Sequence, residues 1–397
     1  MGSVEQTTTA NSRSPLGTVA DLHSMVSDCR GSVDREELVG DTVSCLSYLD
    51  QSDRYLHLPN VNGRRDSHQE ADPNQVHEYH TYWHGPWTWR VELFIKGFLY
   101  TQNLKVSRLT IWFDTKFAED IVSQVQKDPR TQQFSALLQQ GILNFKPWSM
   151  PDTISLPDGL DHTDGYGYVD NDDRRGKYVD SEVIADAIQR DPSGKVFMRT
   201  DIWGIASEKD VPARSDTFRF LILHAYGGVY LDMDMLLLRD MNPLLASNLP
   251  FAERWGNLKG LGDYNTAVLA LPANSSLSSF CVRAGVRARM FFHPRAIGYA
   301  LWQAGRHEEL LRLESAVFDP LWPELAGTRE GKAPEPLHQN SQQFFEAKSG
   351  PEATTPSEDS KSVDPRINQF YRGAFAYHIH NMVSYLISCC VQLICQV

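Results

Sequence analysis

The sequence predicts an α/β fold on a mostly parallel sheet, and four stretches carry that prediction. LTIWFD, ending in Asp114, is an apolar run of strand length. It lies between TWRVELFIKGFLYTQ, whose apolar residues (Val91, Phe94, Ile95, Phe98, Leu99) recur at helical spacing, and FAEDIVSQVQKDP, an amphipathic run stopped by Pro129. Farther on, Ala213 to Leu245 reads as helix, glycine turn and strand. Strands alternating with helices argue for βαβ units, whose right-handed crossovers gather the strand C-termini on one edge, where such sheets bind ligands.

The first of these elements begins after a long polar stretch. Residues 1–75 are rich in Ser, Thr, Asp and Asn and read as a weakly ordered, stem-like extension, with one helix available in ELVGDTVSCLSYL. At Val76 the character changes to the aromatic, extended VHEYHTYWHGPW, which opens a catalytic-sized domain spanning 76–330. Within it, 149–176 reads as loop; its DGLDHTDGYGYVDNDDRRG lacks the acid spacing of a calcium loop and is taken as solvated. Residues 331–365 read as a disordered insertion, and 366–397 as a C-terminal motif followed by an apolar, Cys-rich tail.

Composition narrows the class. The 397 residues, with a net charge of −12, disfavour a nucleic-acid partner. A hydrophobic fraction of 41% and a charged fraction of 22% exclude wholesale disorder, collagen-like repeats and a polytopic membrane protein. The 6 cysteines are too few for a disulfide scaffold and none has zinc-site spacing, so the redox compartment stays open. The N-terminus has no signal-peptide pattern, and Met382 to Cys395 is too short an apolar run to span a bilayer.

The chemistry concentrates in ARSDTFRFLILHAYGGVYLDMDMLLLRD. Pro212 suits a first helical turn, and Phe218, Leu221, Ile222 and Ala225 form its buried face. Asp216 and Arg219 share one side of that helix. Gly227 and Gly228 end the helix, and Val229, Tyr230 and Leu231 form a buried strand. Asp232 and Asp234 follow it, two apart, so that in extended chain both carboxylates point one way and Met233 the other. Like charges so close repel unless a cation joins them; hard oxygen ligands favour Mg²⁺ or Mn²⁺. An isolated acid pair is ordinarily a solvated turn, but these acids sit between two apolar runs.

Ser215, Asp216, Arg219, Leu223, Gly227, Gly228, Tyr230, Asp232 and Asp234, as SDxxRxxxLxxxGGxYxDxD, resemble the signature of the DXD-motif, sugar-binding-region glycosyltransferases. These comprise glycosyltransferase family 32 and relatives, among them fungal α-1,6-mannosyltransferases and α-1,4-galactosyltransferases. His80-Thr81-Tyr82-Trp83-His84-Gly85 resembles the same family's first strand, and the likeness runs from about Val76 to Pro323. The resemblance implies a GT-A fold and transfer of a hexose, with retention, from a UDP- or GDP-sugar to a glycan or glycoconjugate acceptor. By that resemblance Asp232 and Asp234 hold Mn²⁺ (or Mg²⁺) against the diphosphate, directly or through water, and Asp216 and Arg219 bind the donor sugar. Trp83 stacks on the base, with Trp87 or Trp89 as substitutes, His80 belongs to the same nucleotide site, and Asn265 touches donor or acceptor. His380, with His378 as its substitute, adds a contact to metal or diphosphate. Asp114 ends a strand on the ligand edge and either meets the ribose or caps the segment at Phe117.

Two rival classes remain open at this stage. One is a phosphatase with its nucleophile in VYLDMDM, which lacks the accompanying acid motif; the other is a nucleotide-sugar or glycan binder that has lost turnover. The family pattern after His378-Ile379-His380-Asn381 is an aromatic residue, whereas this chain continues Met382-Val383-Ser384. Val-Ser is encodable as GTGAGT, a common intron start, so VSYLISCCVQLICQV is read as translated intron. Family members are typically anchored in the Golgi membrane ahead of a stem, so Golgi is expected if an anchor is missing and cytoplasm if the sequence is complete.

Overall fold

The computed structural model describes residues 13–29, 38–58, 72–156, 188–190, 192–193, 196–199, 211–254, 264–288, 290–320 and 373–379. The chain opens with β1 (Val19–Ala20), α1 (Leu22–Asp28), α2 (Leu38–Asp50) and β2 (Leu56–His57). Then come β3 (His77–Trp83), α3 (Trp89–Thr101), β4 (Ser107–Asp114), α4 (Ile121–Lys127), α5 (Ser135–Gln139) and β5 (Leu143–Trp148). After β6 (Thr153–Leu156), β7 (Ile188–Arg190) and β8 (Val196–Arg199) follow α6 (Val211–Tyr226), β9 (Val229–Leu231), β10 (Met235–Leu237) and α7 (Asn242–Ala246). The remainder is β11 (Phe251–Arg254), β12 (Tyr264–Ala270), α8 (Ser276–Arg287), α9 (Pro294–Gln303), β13 (Leu311–Leu313), α10 (Ser315–Phe318) and β14 (Ala376–His378).

The protein is mixed α/β, as the sequence predicts, on a seven-stranded sheet in the order β13-β11-β12-β9-β3-β4-β5. From β9 through β5 every neighbour is parallel, and β11 and β13 form a second parallel pair. β12 runs antiparallel to both of its neighbours and joins the two blocks. Side-chain alternation divides the core in two. Leu109, Ile111 and Phe113 of β4, with Val229 and Leu231 of β9, face α3 and the N-terminal helices. Trp112, Tyr230 and Leu269 face α6, α8 and α9 on the other side. Residues 153–156, within a stretch expected to be loop, instead form β6 and pair with β8; the acid-rich string beyond lies outside the described residues.

The N-terminal stretch corrects the stem-like expectation. Leu22, Leu49 and Tyr55 are fully buried in the same core as β4 and α3, β1 pairs with β2, and Cys29 is disulfide-bonded to Cys45. Average composition hid what spacing shows: Leu22, Met25 and Cys29 recur at helical intervals and make a narrow apolar stripe. The disulfide closes a sequence separation of 16 residues. Replacing both cysteines with serine is therefore expected to cost about 3 kcal/mol, read as a fall in the urea midpoint, with a slope that does not decrease because the uncrosslinked unfolded chain is less compact. Among the described residues no helix is long and apolar enough to cross a membrane.

Candidate active site

The site is set by how α6 gives way to β9. Gly227 and Gly228 hold φ of +70° and +89°, where only glycine is unstrained. A Cβ on Gly228 would stand 2.2 Å from the carbonyl oxygen of Glu78, and one on Gly227 would stand 2.8 Å from the Ala273 nitrogen. The double glycine thus lets the turn press against β3, so that β9 starts in register beside it. Gly228→Ala is expected to lose at least about 2 kcal/mol, from φ strain and from backbone displacement, measured by urea denaturation.

Past Leu231 the chain turns instead of running extended, since the Met235 amide donates to the Asp232 carbonyl (3.1 Å). The carboxylates of Asp232 and Asp234 therefore converge through a turn, which corrects the strand-alternation argument. The Asp232 amide donates to Ala267 O (2.8 Å), tying the first acid to β12. β10 then pairs antiparallel with β14, setting Met235 opposite His378, and the Ile379 amide donates to Asp234 O (2.9 Å). One ligand atom from each of Asp232, Asp234 and His378 lies within 4.8 Å of the others. His380 lies outside the described residues.

Arg219 is buried behind the acids. Its Nη2 donates to Asp232 Oδ1 (3.1 Å) and Ser215 Oγ (3.1 Å) and pairs with Asp216 Oδ1 (3.1 Å), while Nη1 donates to Thr266 Oγ1 (2.7 Å). Burial works against its charge, but Asp232, Tyr230, Asp216 and Asp234 outweigh it and hold the guanidinium firmly protonated. Tyr230 donates to the same Asp232 oxygen (2.6 Å). Asp232 is thus aimed by two donors, and Asp216 sits beside it at the start of the same helix face.

His378 Nε2 lies 3.2 Å from Asp234 Oδ1, and Nδ1 lies 4.0 Å from Asp319 Oδ2. Burial alone would push its pKa down; the hydrogen bond and charge of Asp234, with the charges of Asp319 and Glu253, raise it to about 10. Glu253 is pushed well up by its own burial and by Asp319. Sequence reasoning missed Glu253 and Asp319, although an acid inside apolar FAER or VFDP was a usable signal.

Other expected residues are placed unequally. Trp83 ends β3, half-buried, with Nε1 donating to Pro86 O (2.8 Å). Trp87 is buried against Phe134 and Phe145, and Trp89 is exposed on α3, so of the three Trp83 alone continues the strand edge. His80 does not reach that edge, which corrects its assignment. It is 2% exposed in mid-strand, its Nε2 donating to Gly227 O (3.1 Å) and its Nδ1 accepting from Trp112 Nε1 (3.3 Å). Burial lowers its pKa to about 4, so the ring is a neutral brace for the glycine turn.

Asn265 also braces. Its Oδ1 accepts from the Ala267 amide (3.0 Å) inside a bulge where Glu253 pairs with Asn265 after Ala252 has paired with Leu269. That bulge presents Ala267 O to Asp232 and Thr266 to Arg219. Asp114 is fully buried, accepting from Arg214 Nε (2.7 Å) and Nη2 (2.6 Å), Tyr82 and the Lys116 amide (2.9 Å). Burial pushes this carboxyl up, but Tyr82 and Arg214 hold it below the usual range. Both oxygens are engaged within the fold, and 115–117 is a turn ahead of α4, whose N-cap is Asp120, so Asp114 caps no helix at Phe117; its partner Arg214 was missed.

Residues 161–250 match the family described as glycosyltransferase sugar-binding region containing DXD motif. That span includes α6, the double glycine and both acids of the turn. No curated protein matches the chain. Among solved structures, the PaToxG glycosyltransferase is similar at 13% identity and a TM-score of 0.35, over 76% of this chain and 89% of that one. The apo-form glycosyltransferase GlyE of Streptococcus pneumoniae TIGR4 is similar at 11% identity and a TM-score of 0.32, over 65% of this chain and 50% of that one. Likenesses at these scores carry no weight for fold or function.

Proposed function

We propose that the chain is a divalent-metal-dependent glycosyltransferase of the GT-A type, related to glycosyltransferase family 32. In this reading it moves a hexose, with retention, from a UDP- or GDP-sugar to a glycan or glycoconjugate acceptor. The observation that carries the reading is the convergence of Asp232, Asp234 and His378 beside a strand C-terminus, the two acids lying inside the stretch that the DXD family matches and His378 joining them from β14. Two carboxylate oxygens and an imidazole nitrogen suit Mn²⁺, and Mg²⁺ less well because of the nitrogen. When bound, the cation supplies charge neutralisation for the leaving nucleoside diphosphate.

The chain's own residues do the rest of the work in this reading. Tyr230 and Arg219 fix the Asp232 carboxylate, leaving its outer oxygen for the cation. Asp216, held by Arg219, accepts a hydroxyl of the donor sugar. Trp83, at the end of β3, offers a ring face to the base, a contact that suits uracil and guanine alike. The disulfide Cys29–Cys45 favours an oxidising compartment, and Asn274 of the Asn274-Ser275-Ser276 sequon is exposed just before α8, as a lumenal Golgi location would allow.

The test is nucleotide release from a panel of UDP- and GDP-sugars with Mn²⁺, with and without EDTA. Release with at least one donor that EDTA abolishes is expected. Nucleotide binding without release from any donor would instead indicate a lapsed binder, and phosphate release from monoesters a phosphatase.

A further inference from the structure

The strand that carries His378 cannot hold itself in place. β14 is three residues long and pairs with β10 in a two-stranded ribbon, which is marginal alone. Its lead-in is fixed from elsewhere. The Phe375 amide donates to Val317 O (2.7 Å), and Phe375 O accepts from the amides of Leu238 (2.9 Å) and Arg239 (3.2 Å). The Arg239 guanidinium then lies 4.6 Å over the Phe375 ring. Its Nη1 donates to Gly373 O (2.9 Å), Leu49 O (3.0 Å) and the Tyr55 hydroxyl (2.8 Å). Gly373 is pressed against α2, where a Cβ would stand 2.5 Å from Leu46 O and 2.7 Å from Leu49 Cβ. One guanidinium therefore ties the end of α2, the start of β2 and the lead-in of β14 to the residue that follows β10 by two positions.

We propose that Arg239 is a positioning residue for the candidate metal centre: it docks the N-terminal region onto the β10–β14 ribbon and so keeps His378 opposite Asp234. This rests on the metal reading above, and Arg239 itself touches neither cation nor substrate. Without its donors, Gly373 O loses the guanidinium and Leu49 O keeps the Tyr55 hydroxyl (2.8 Å) in its place, so the lead-in of β14 loses this attachment to α2. The N-terminal region, in this account, is structural support for the site and no spacer.

The test is binding of Mn²⁺ alone to the full chain, read from the electron paramagnetic resonance signal of the free ion. Arg239→Met keeps an aliphatic stem over Phe375 and removes every donor; it is expected to weaken Mn²⁺ about 10-fold, the size typical for groups that orient metal ligands. Arg239→Lys is expected to restore affinity to within about threefold, because all three acceptors face one nitrogen and an ammonium carries three N–H groups. Phe292→Leu, which loosens the packing of Phe292 on Gly285 between α8 and α9, is expected to lower the melting midpoint and leave Mn²⁺ affinity alone. The inference is overturned if wild type and Arg239→Met bind Mn²⁺ equally, or if Phe292→Leu weakens binding as much at the same midpoint. Should Arg239→Met not fold, Tyr55→Phe removes one acceptor; weaker binding supports the inference and unchanged binding overturns it. A wild-type chain that takes up no Mn²⁺ would overturn the metal reading itself, an outcome distinct from equal binding by both proteins.

Discussion

Asp234→Asn is expected to lower nucleotide-sugar turnover by about a thousandfold or more while leaving circular dichroism unchanged. The magnitude follows from the chemistry: a cation at a developing diphosphate is worth several kcal/mol, and each 1.36 kcal/mol is tenfold in rate. An amide keeps the shape of Asp234 but withdraws the anionic oxygen that faces His378 and Asp232. Asp232→Asn is expected to act similarly, with the added effect that Arg219 and Tyr230 lose an anionic acceptor. Both acids sit in a turn, with side chains 24% and 16% exposed, so the loss is one of function. Near-normal kcat in either variant would remove the metal from the mechanism.

Arg214→Met is expected to cost about 3–5 kcal/mol of stability, because it takes the bidentate guanidinium from the fully buried Asp114 carboxylate and leaves it Tyr82, the Lys116 amide and the His84 ring. The same pair fixes a pH dependence. Asp114 titrates below its ordinary value in the folded chain, so its contribution to stability is present above the ordinary carboxylate pKa and is lost as pH falls through the depressed one. Without Arg214, burial dominates and Asp114 titrates above its ordinary value. The sign then reverses, and this carboxyl favours folding more as pH falls. Urea midpoints of wild type and Arg214→Met between pH 3 and 7 are therefore expected to converge towards acid. Midpoints separated by a constant amount across that range would show that Asp114 is not the group left unpaired.

How much of this was readable in the residues depended on sequence distance. The helix, double glycine, strand and acid pair occupy one stretch, and each speaks in local terms: apolar spacing, positive-φ glycine, acids between apolar runs. The turn at Met233 was misread because an alternating pattern says nothing of the Met235–Asp232 hydrogen bond. Arg214 and Asp114 are 100 residues apart, so nothing local announces their pairing. Glu253 and Asp319 stand out as acids beside apolar residues, but the contacts that β11, α10 and the N-terminal helices assemble around them and around Arg239 are invisible to spacing. His80 was misplaced although period-two alternation puts it on the face of Tyr82, which packs against α6. In residues 13–58 the polar average outweighed a narrow apolar stripe, and the Cys29–Cys45 pairing was not readable from six cysteines.

The central claim is that Asp232, Asp234 and His378 form one cation centre that serves a nucleotide sugar. Anomalous diffraction at the manganese edge, from crystals grown with Mn²⁺ and UDP or GDP, tests it directly. The expected result is one strong peak within coordinating distance of the two carboxylates and the His378 ring, with the diphosphate on its open side. A nucleotide bound with no anomalous peak there, or with the manganese held by other residues, would contradict it.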